Sequence, residues 1–160
     1  TTLFRSGWMN AAICVDTPLG PVTLQEKAGV LTSLTWASTH GETGETPLLR
    51  DAAEQLAAYF AGALHRFDLP FDWGGGLQEK VRRAMAAIPF GQTLTYGEIS
   101  AQVGAPAQAV GQACGANPLP IFIPCHRVLG AKGLGGFSAK GGVETKVWLL
   151  RHEGAAGLLI

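Results

Sequence analysis

The apolar positions of the chain change their period partway along it. From Ala11 to Ser38 short β-prone runs alternate with turn signals. "AAICV" is followed by Pro18-Leu19-Gly20-Pro21, "VTLQE" by Lys27-Ala28-Gly29, and "VLTSLTW" closes the stretch. Such runs predict a meander of three strands. "HGETGE", residues 40–45, reads as a loop. Thr46-Pro47 then has the form of a helix N-cap followed by proline at the first helical position. Leu49, Ala52, Ala53, Leu56, Tyr59, Phe60 and Ala63 recur at helical spacing and predict one amphipathic helix. "RFDLPFDWGGG" ends it and reads as a linker near residue 74.

Beyond the linker the helical period dominates. Leu77, Val81, Ala84, Met85 and Ile88 share one face, and Pro89 stops that helix. "TYGEISAQVG" predicts a short helix ended by Gly104, "AP" turns the chain, and "AQAVGQACGAN" predicts another. Two short helices joined through a glycine-containing turn outline a helix-turn-helix. "LPIFIP" predicts an extended run, "LGAKGLGGFSAKGG" a glycine-rich loop and "VETKVWLLRHEG" a final helix. The expected class is α/β, with a small α/β lobe over residues 1–74 and a mostly helical lobe over residues 75–160.

Composition narrows the setting. The chain has 160 residues, 47% apolar and 15% charged, enough for a packed core and too apolar for disorder. No apolar run approaches the ~20 residues that span a bilayer, so no membrane is expected. The opening "TTLFRSGWMN" does not read as a secretory leader. Cys14, Cys114 and Cys125 leave one thiol odd and read as reduced intracellular cysteines. The expected location is the cytoplasm, at the nucleoid if the source is bacterial. The net charge of zero hides a split: residues 1–76 carry four basic and eight acidic groups, residues 77–160 eight basic and four acidic. A positive half suits a polyanion, and suits equally a solvated face or an attraction between lobes.

The chemistry concentrates at "IPCHRV", residues 123–128. Three readings compete for Cys125. A small buried hydrophobe is the commonest fate of a lone cysteine and accounts for Cys14 and Cys114. A metal ligand needs partners at ligand spacing; the chain has no C-x-x-C, and His40, His65 and Cys14 are scattered in the other lobe. The third reading is a nucleophile, for which a neighbouring imidazole or cation activates the thiol. Pro124 favours an extended Ile123 before it. A nucleophile–base pair needs a third group to orient the base. In the last helix the spacing puts Glu153 on a face with Val143, Val147 and Leu150, away from Arg151 and His152. An inward carboxylate needs a partner, for which His126 is a candidate. Spacing alone fits equally a Glu153 in solvent at the helix end.

These residues carry a resemblance. "NP" followed by "IPCHRV", the upstream "IPFGQTLTYGEIS" and the downstream "GGFS" with "WLLRHEG" resemble the O6-alkylguanine-DNA alkyltransferases, the methylated-DNA–protein-cysteine methyltransferases of direct-reversal repair. The likeness runs in register from Leu77 to Gly154, and "PLGPVTLQEKAGVLTSLTW" resembles the family's first lobe more loosely. It implies a ribonuclease-H-like α/β lobe with an antiparallel sheet, and a helical lobe whose helix-turn-helix (winged-helix-like) enters the minor groove of double-stranded DNA. An O6-alkylguanine is flipped out of the stack. Its alkyl group, or that of an O4-alkylthymine, passes irreversibly to Cys125, so each molecule acts once. In that scheme His126 deprotonates Cys125 through a water, Glu153 orients His126, and Asn117 braces the active-site turn. Tyr96 contacts the flipped base and helps turn the nucleotide out. Val128 lines the pocket, Phe137 stacks, and the Ser138 backbone hydrogen-bonds the O6 side. Gln108, Ala109 and Gly111 meet the DNA on a helix made slender by its small residues. The family implies no metal, no cofactor and a monomer.

Two positions depart from the pattern. Gln108 stands where the family has an arginine that fills the space left by the flipped base, and the turn before it is shorter than in many relatives. Phe137 replaces the usual tyrosine of the glycine loop. Two other functions compete. A lesion-recognition protein without chemistry, like the alkyltransferase-like proteins, would have the cysteine replaced. A cysteine hydrolase would leave the helix-turn-helix unexplained.

Overall fold

In the computed structural model the described residues are 10–38, 44–135 and 141–155. The chain divides into two compact units, residues 1–72 and residues 73–160.

In the first unit the turn signals do what their chemistry requires. Strands β1 (Ala11–Val15), β2 (Val22–Lys27) and β3 (Val30–Thr35) form an antiparallel sheet in the order β1-β2-β3. Ala28 and Gly29, both with positive φ, make the tight turn between β2 and β3, the conformation that a two-residue hairpin demands. A register shift at Gln25–Glu26 bends β2. Val22, Leu24, Leu31 and Leu34 are buried, and helix α1 (Pro47–Phe60) packs on the sheet through buried Leu49, Ala52, Leu56 and Tyr59. Thr46 caps α1 by accepting from Leu49 N–H at 3.1 Å, with proline in the first turn. Its hydroxyl also donates to the buried carboxylate of Glu26. The expected helix ran on to Ala63, but it ends at Phe60 and Ala63 is exposed. The segment read as linker is partly structural: Leu31 N–H donates to Pro70 O and Asp72 N–H to Leu31 O, both at 2.9 Å, which burys Phe71 beside β3.

The second unit is helical. Helix α2 (Gly76–Ala86) buries Val81 and Met85. Strand β4 (Leu94–Thr95) leads directly into α3 (Tyr96–Val103), whose N-cap Thr95 and Glu98 form a reciprocal capping box. Gly104 closes α3 in the left-handed conformation at φ 71°, and α4 (Ala107–Gly115) follows, packed against α2 and α3. This is the expected helix-turn-helix outline. Strand β5 (Val128–Leu129) pairs in parallel with β4, and α5 (Val143–His152) completes the unit. No helix among the described residues is long and apolar enough to cross a membrane.

Two expectations need correction. "LPIFIP" is not extended: the segment is a series of turns, and Ile121 has φ 73°. The inward face of α5 is not the one carrying Val143 and Val147. Val143 is 43% exposed, whereas Thr145, Lys146, Leu149 and Leu150 are buried. Both sets repeat at helical spacing, and only packing distinguishes them.

The α1 cap joins helix and sheet through one hydroxyl. Thr46→Ala should lower the stability of the first unit by about 1–2 kcal/mol, read as a lower urea midpoint at unchanged slope.

Candidate active site

The site is built on the turns after α4. Asn117 holds both ends of them: its Oδ1 accepts from Leu119 N–H at 3.1 Å and its Nδ2 donates to Ile123 O at 2.8 Å. Between these anchors Ile123 N–H donates to Leu119 O at 2.8 Å. Pro124 sits at φ −79°, ψ 70°, and Cys125 N–H donates back to Ile123 O at 2.8 Å, which is an inverse γ-turn centred on proline. Cys125, His126 and Arg127 then make one turn of 3-10 helix, all three buried. The pairing of Leu94 with Val128 and of Thr95 with Leu129 brings the start of α3, and hence Tyr96, beside this segment.

Glu153 joins that turn to α5. It is 4% exposed, and Oε2 lies 2.7 Å from His126 Nε2. Arg127 donates from Nε to Oε1 at 2.8 Å and from Nη2 to Oε2 at 2.9 Å, and its Nη1 reaches Ile88 O at 2.7 Å. Burial opposes ionisation of Glu153, but the hydrogen bonds and charges of His126 and Arg127 outweigh it and hold the carboxyl down at about 2. Burial lowers the pKa of His126 and the bonded carboxylate only partly opposes this, so the imidazole is neutral at pH 7. With Nε2–H donated to Glu153, Nδ1 is the acceptor nitrogen. It is buried and has no hydrogen-bond partner among the described residues.

Cys125 is 8% exposed. Burial pushes its thiol up, while a hydrogen bond from the Asn117 side chain and the charge of Lys146 pull it back. Lys146 is fully buried and donates to Val128 O at 2.7 Å and to Leu134 O. Burial brings its ammonium down to about 8, against the opposing pull of Cys125 and Cys114. Cys114, on α4, is pushed up to about 12, first by burial and then by Cys125. Tyr96 is raised by burial and by the same two cysteines. A neutral base, an ionised carboxylate and a thiol with a cation nearby are the parts of a nucleophile that loses its proton on demand.

The structure therefore brings Cys125, His126, Glu153, Asn117 and Tyr96 into one region, and Val128, which follows the 3-10 turn, is fully buried. Gln108 is exposed, and Ala109 and Gly111 are partly exposed, on α4. Phe137 and Ser138 lie outside the described residues, as does part of the "HGETGE" loop. At the near end of the glycine-rich loop, Gly135 has φ 72°, and a Cβ there would lie 3.2 Å from the Tyr96 ring. Sequence reasoning missed Arg127 and Lys146. The signal for Lys146 was its position, seven residues before Glu153 on the stripe that holds Leu149 and Leu150. Among the described residues no group of three or more His, Cys, Asp or Glu side chains is arranged to hold a metal.

Comparison with known proteins adds to this geometry. Residues 76–155 match the family model of the 6-O-methylguanine DNA methyltransferase DNA binding domain, and residues 12–73 that of its ribonuclease-like domain. The methylated-DNA–protein-cysteine methyltransferase of Mycobacterium tuberculosis H37Rv is 44% identical over 149 residues, covering 87% of this chain and 89% of that protein. The crystal structure of M. tuberculosis O6-methylguanine methyltransferase is similar with a TM-score of 0.80 at 41% identity, covering 95% of this chain and 97% of that one. The structure of M. tuberculosis OGT in complex with DNA matches with a TM-score of 0.78 at 43% identity, over 91% and 92% of the two chains.

The Glu153 cluster gives stability a signature in acid. Its folded-state pKa is depressed, so its contribution is present above the unfolded carboxyl value of ~4.3 and is lost as pH falls toward about 2. Glu153→Gln leaves Arg127 buried without its counter-charge and should cost about 3–5 kcal/mol at pH 7. The wild-type and variant stabilities should converge as the pH of the denaturation series is lowered through that window.

Proposed function

The chain belongs to the 6-O-methylguanine DNA methyltransferase family, and from that premise we propose that it performs direct-reversal DNA repair, taking an alkyl group from DNA onto Cys125. The observation that carries the assignment to Cys125 is the imidazole beside it. His126 is neutral, bound through Nε2 to the ionised Glu153 at 2.7 Å, and keeps Nδ1 for a proton.

The reaction follows from those parts. His126 Nδ1 takes the Cys125 proton through an intervening water, and Glu153 stabilises the imidazolium that forms. Asn117 and Lys146 favour the thiolate in a site that otherwise disfavours charge. The thiolate attacks the alkyl carbon in line. The S–C bond forms as the carbon–O6 bond breaks, and the leaving guanine is neutralised by a proton or hydrogen bond as it departs. The thioether has no route back to a thiol, so one molecule repairs one lesion. No step uses a metal or an organic cofactor.

The substrate is O6-alkylguanine in double-stranded DNA, with O4-alkylthymine as a second lesion, reached from the minor groove by a monomer. The small residues of α4 leave a slender surface for a groove about 6 Å wide. Tyr96 at the start of α3 contacts the flipped base, Val128 lines the pocket, and Gln108 enters the space the base leaves. Phe137 and the Ser138 backbone act on the base from the glycine-rich loop.

Incubation with O6-methylguanine DNA followed by mass spectrometry should give a single methyl adduct on Cys125. Cys125→Ser should abolish transfer and retain DNA binding, and Cys114→Ser should leave transfer intact. Label on Cys114 or Cys14 overturns the assignment. Absence of any adduct favours lesion recognition without chemistry, and a transient acyl adduct favours a hydrolase.

Gln108 acts on the duplex and not on the bond being broken. Gln108→Arg adds charge and a stacking plane to offset flipping, which costs a few kcal/mol. The second-order rate with duplex O6-methylguanine should rise, while that with free O6-benzylguanine stays within about twofold, since the free base needs no flipping. Equal changes on both substrates would mean that residue 108 acts on the pocket.

A further inference from the structure

Ile121 has no part in the chemistry above, yet its backbone is an outlier. Among the described residues only Ala28 and Ile121 are non-glycine residues with positive φ. Ala28 belongs to the hairpin turn between β2 and β3, where positive φ is expected. Ile121, at φ 73°, is β-branched and belongs to no hairpin, and for such a residue the left-handed region is strongly disfavoured. A conformation of this kind persists only where its surroundings over-determine it, and it gathers at functional sites.

The surroundings of Ile121 do over-determine it. Its side chain is 1% exposed, between buried Leu119, Pro120, Phe122 and Ile123. Asn117 clamps the segment on both sides through Leu119 N–H and Ile123 O, and Ile123 N–H closes onto Leu119 O. The product of the turn is the place of one carbonyl. Ile123 O accepts from Asn117 Nδ2 and from Cys125 N–H, each at 2.8 Å. Reversing φ at residue 121 swings every later atom about the N–Cα bond and carries that carbonyl away from Asn117. Ile123 O is the shared acceptor that ties the nucleophile to its brace.

We propose that Ile121 is a positioning residue for the acceptor thiol: its left-handed backbone, pinned by its buried side chain, sets Ile123 O between Asn117 and Cys125 and thereby fixes the sulfur against the Asn117 amide. The proposal rests on the reading of Cys125 as the acceptor. Burial of the isoleucine offsets the steric cost of the turn. A residue that keeps the cost and loses the burial lets the turn relax, and glycine loses the burial but carries no such cost.

The test compares Ile121→Ala, Ile121→Gly and Ile121→Val with the wild type, at a temperature where circular dichroism finds all four folded. The readouts are the pH–rate profile of Cys125 alkylation by iodoacetamide and the rate with free O6-benzylguanine. The valine variant should match the wild type. The alanine variant should react roughly fivefold to thirtyfold more slowly than the glycine variant, the range set by the left-handed penalty, and the inflection of its iodoacetamide profile should move to higher pH. Equal rates for alanine and glycine, or a slower glycine variant, with inflections unmoved, would make Ile121 a packing residue and overturn the proposal. The conformation is also checked in the wild type alone: a strong intraresidue amide–Hα NOE at Ile121 is expected for positive φ, and a weak one overturns the proposal whatever the variants do. A wild type inert toward O6-benzylguanine would sink the functional reading, and the iodoacetamide ranking would still decide the role of Ile121.

Discussion

The second unit depends on a buried carboxylate that serves two masters. Glu153 accepts from His126 and twice from Arg127, consecutive residues of a single 3-10 turn, and it stands on the end of α5. A lone carboxylate in that position would be neutralised by burial. Arg127 keeps it ionised with a bidentate bond whose planar fork suits a carboxylate, and its remaining nitrogen is satisfied by Ile88 O, beyond the end of α2. The same anion can then hold the imidazole in one tautomer. In the proposed reaction one short turn presents a nucleophile, its base and the counter-ion of the group that orients the base, which is why cysteine, histidine and arginine adjoin in sequence.

The positive charge of residues 77–160 is distributed by this requirement. Arg127 and Lys146 are buried and committed to Glu153, Ile88, Val128 and Leu134, and Arg82 is buried as well. Lys140 lies outside the described residues, which leaves Lys80, Arg83, Lys132 and Arg151 exposed among the rest. Arg83 is itself paired with Glu79 at 2.8 Å. The net charge of a segment therefore overstates the charge it offers to a polyanion. Part of the excess works inside, where an ammonium costs more to bury and acts more strongly on a thiol than at the surface.

Strain and satisfaction are divided along the turns that present Cys125. Asn117 and Pro124 supply bonds and fixed dihedrals at low cost, and Ile121 supplies a reversal that most residues resist. The buried side chains of residues 119–123 lie against the core of the second unit, so the hydrophobic term that folds the unit also holds the turn. Side-chain hydrogen bonds and burial, not strand pairing, hold the segment from Leu119 to Ile123 in place.

Local patterns determined much of this protein. The Pro18-Leu19-Gly20-Pro21 and Ala28-Gly29 turns set the meander, Thr46-Pro47 and Thr95 with Glu98 set helix starts, and Gly104 set a helix end, because each acts within a few residues of chain. The sequence Pro-Cys-His-Arg-Val, by its likeness to a family, also pointed to the reaction. Tertiary structure decided what depends on atoms distant in sequence. Spacing put Val143 inside, but Lys146 takes the inward face instead, because the carbonyls of Val128 and Leu134 satisfy its ammonium there. The run from Leu119 to Ile123 has the composition of a strand, yet among the described residues no strand pairs with it, and the Asn117 amide draws it into a turn instead. Spacing left Glu153 equally at home in solvent. It is buried because Arg127, 26 residues earlier, neutralises it, and a partner so far away along the chain leaves no periodic trace.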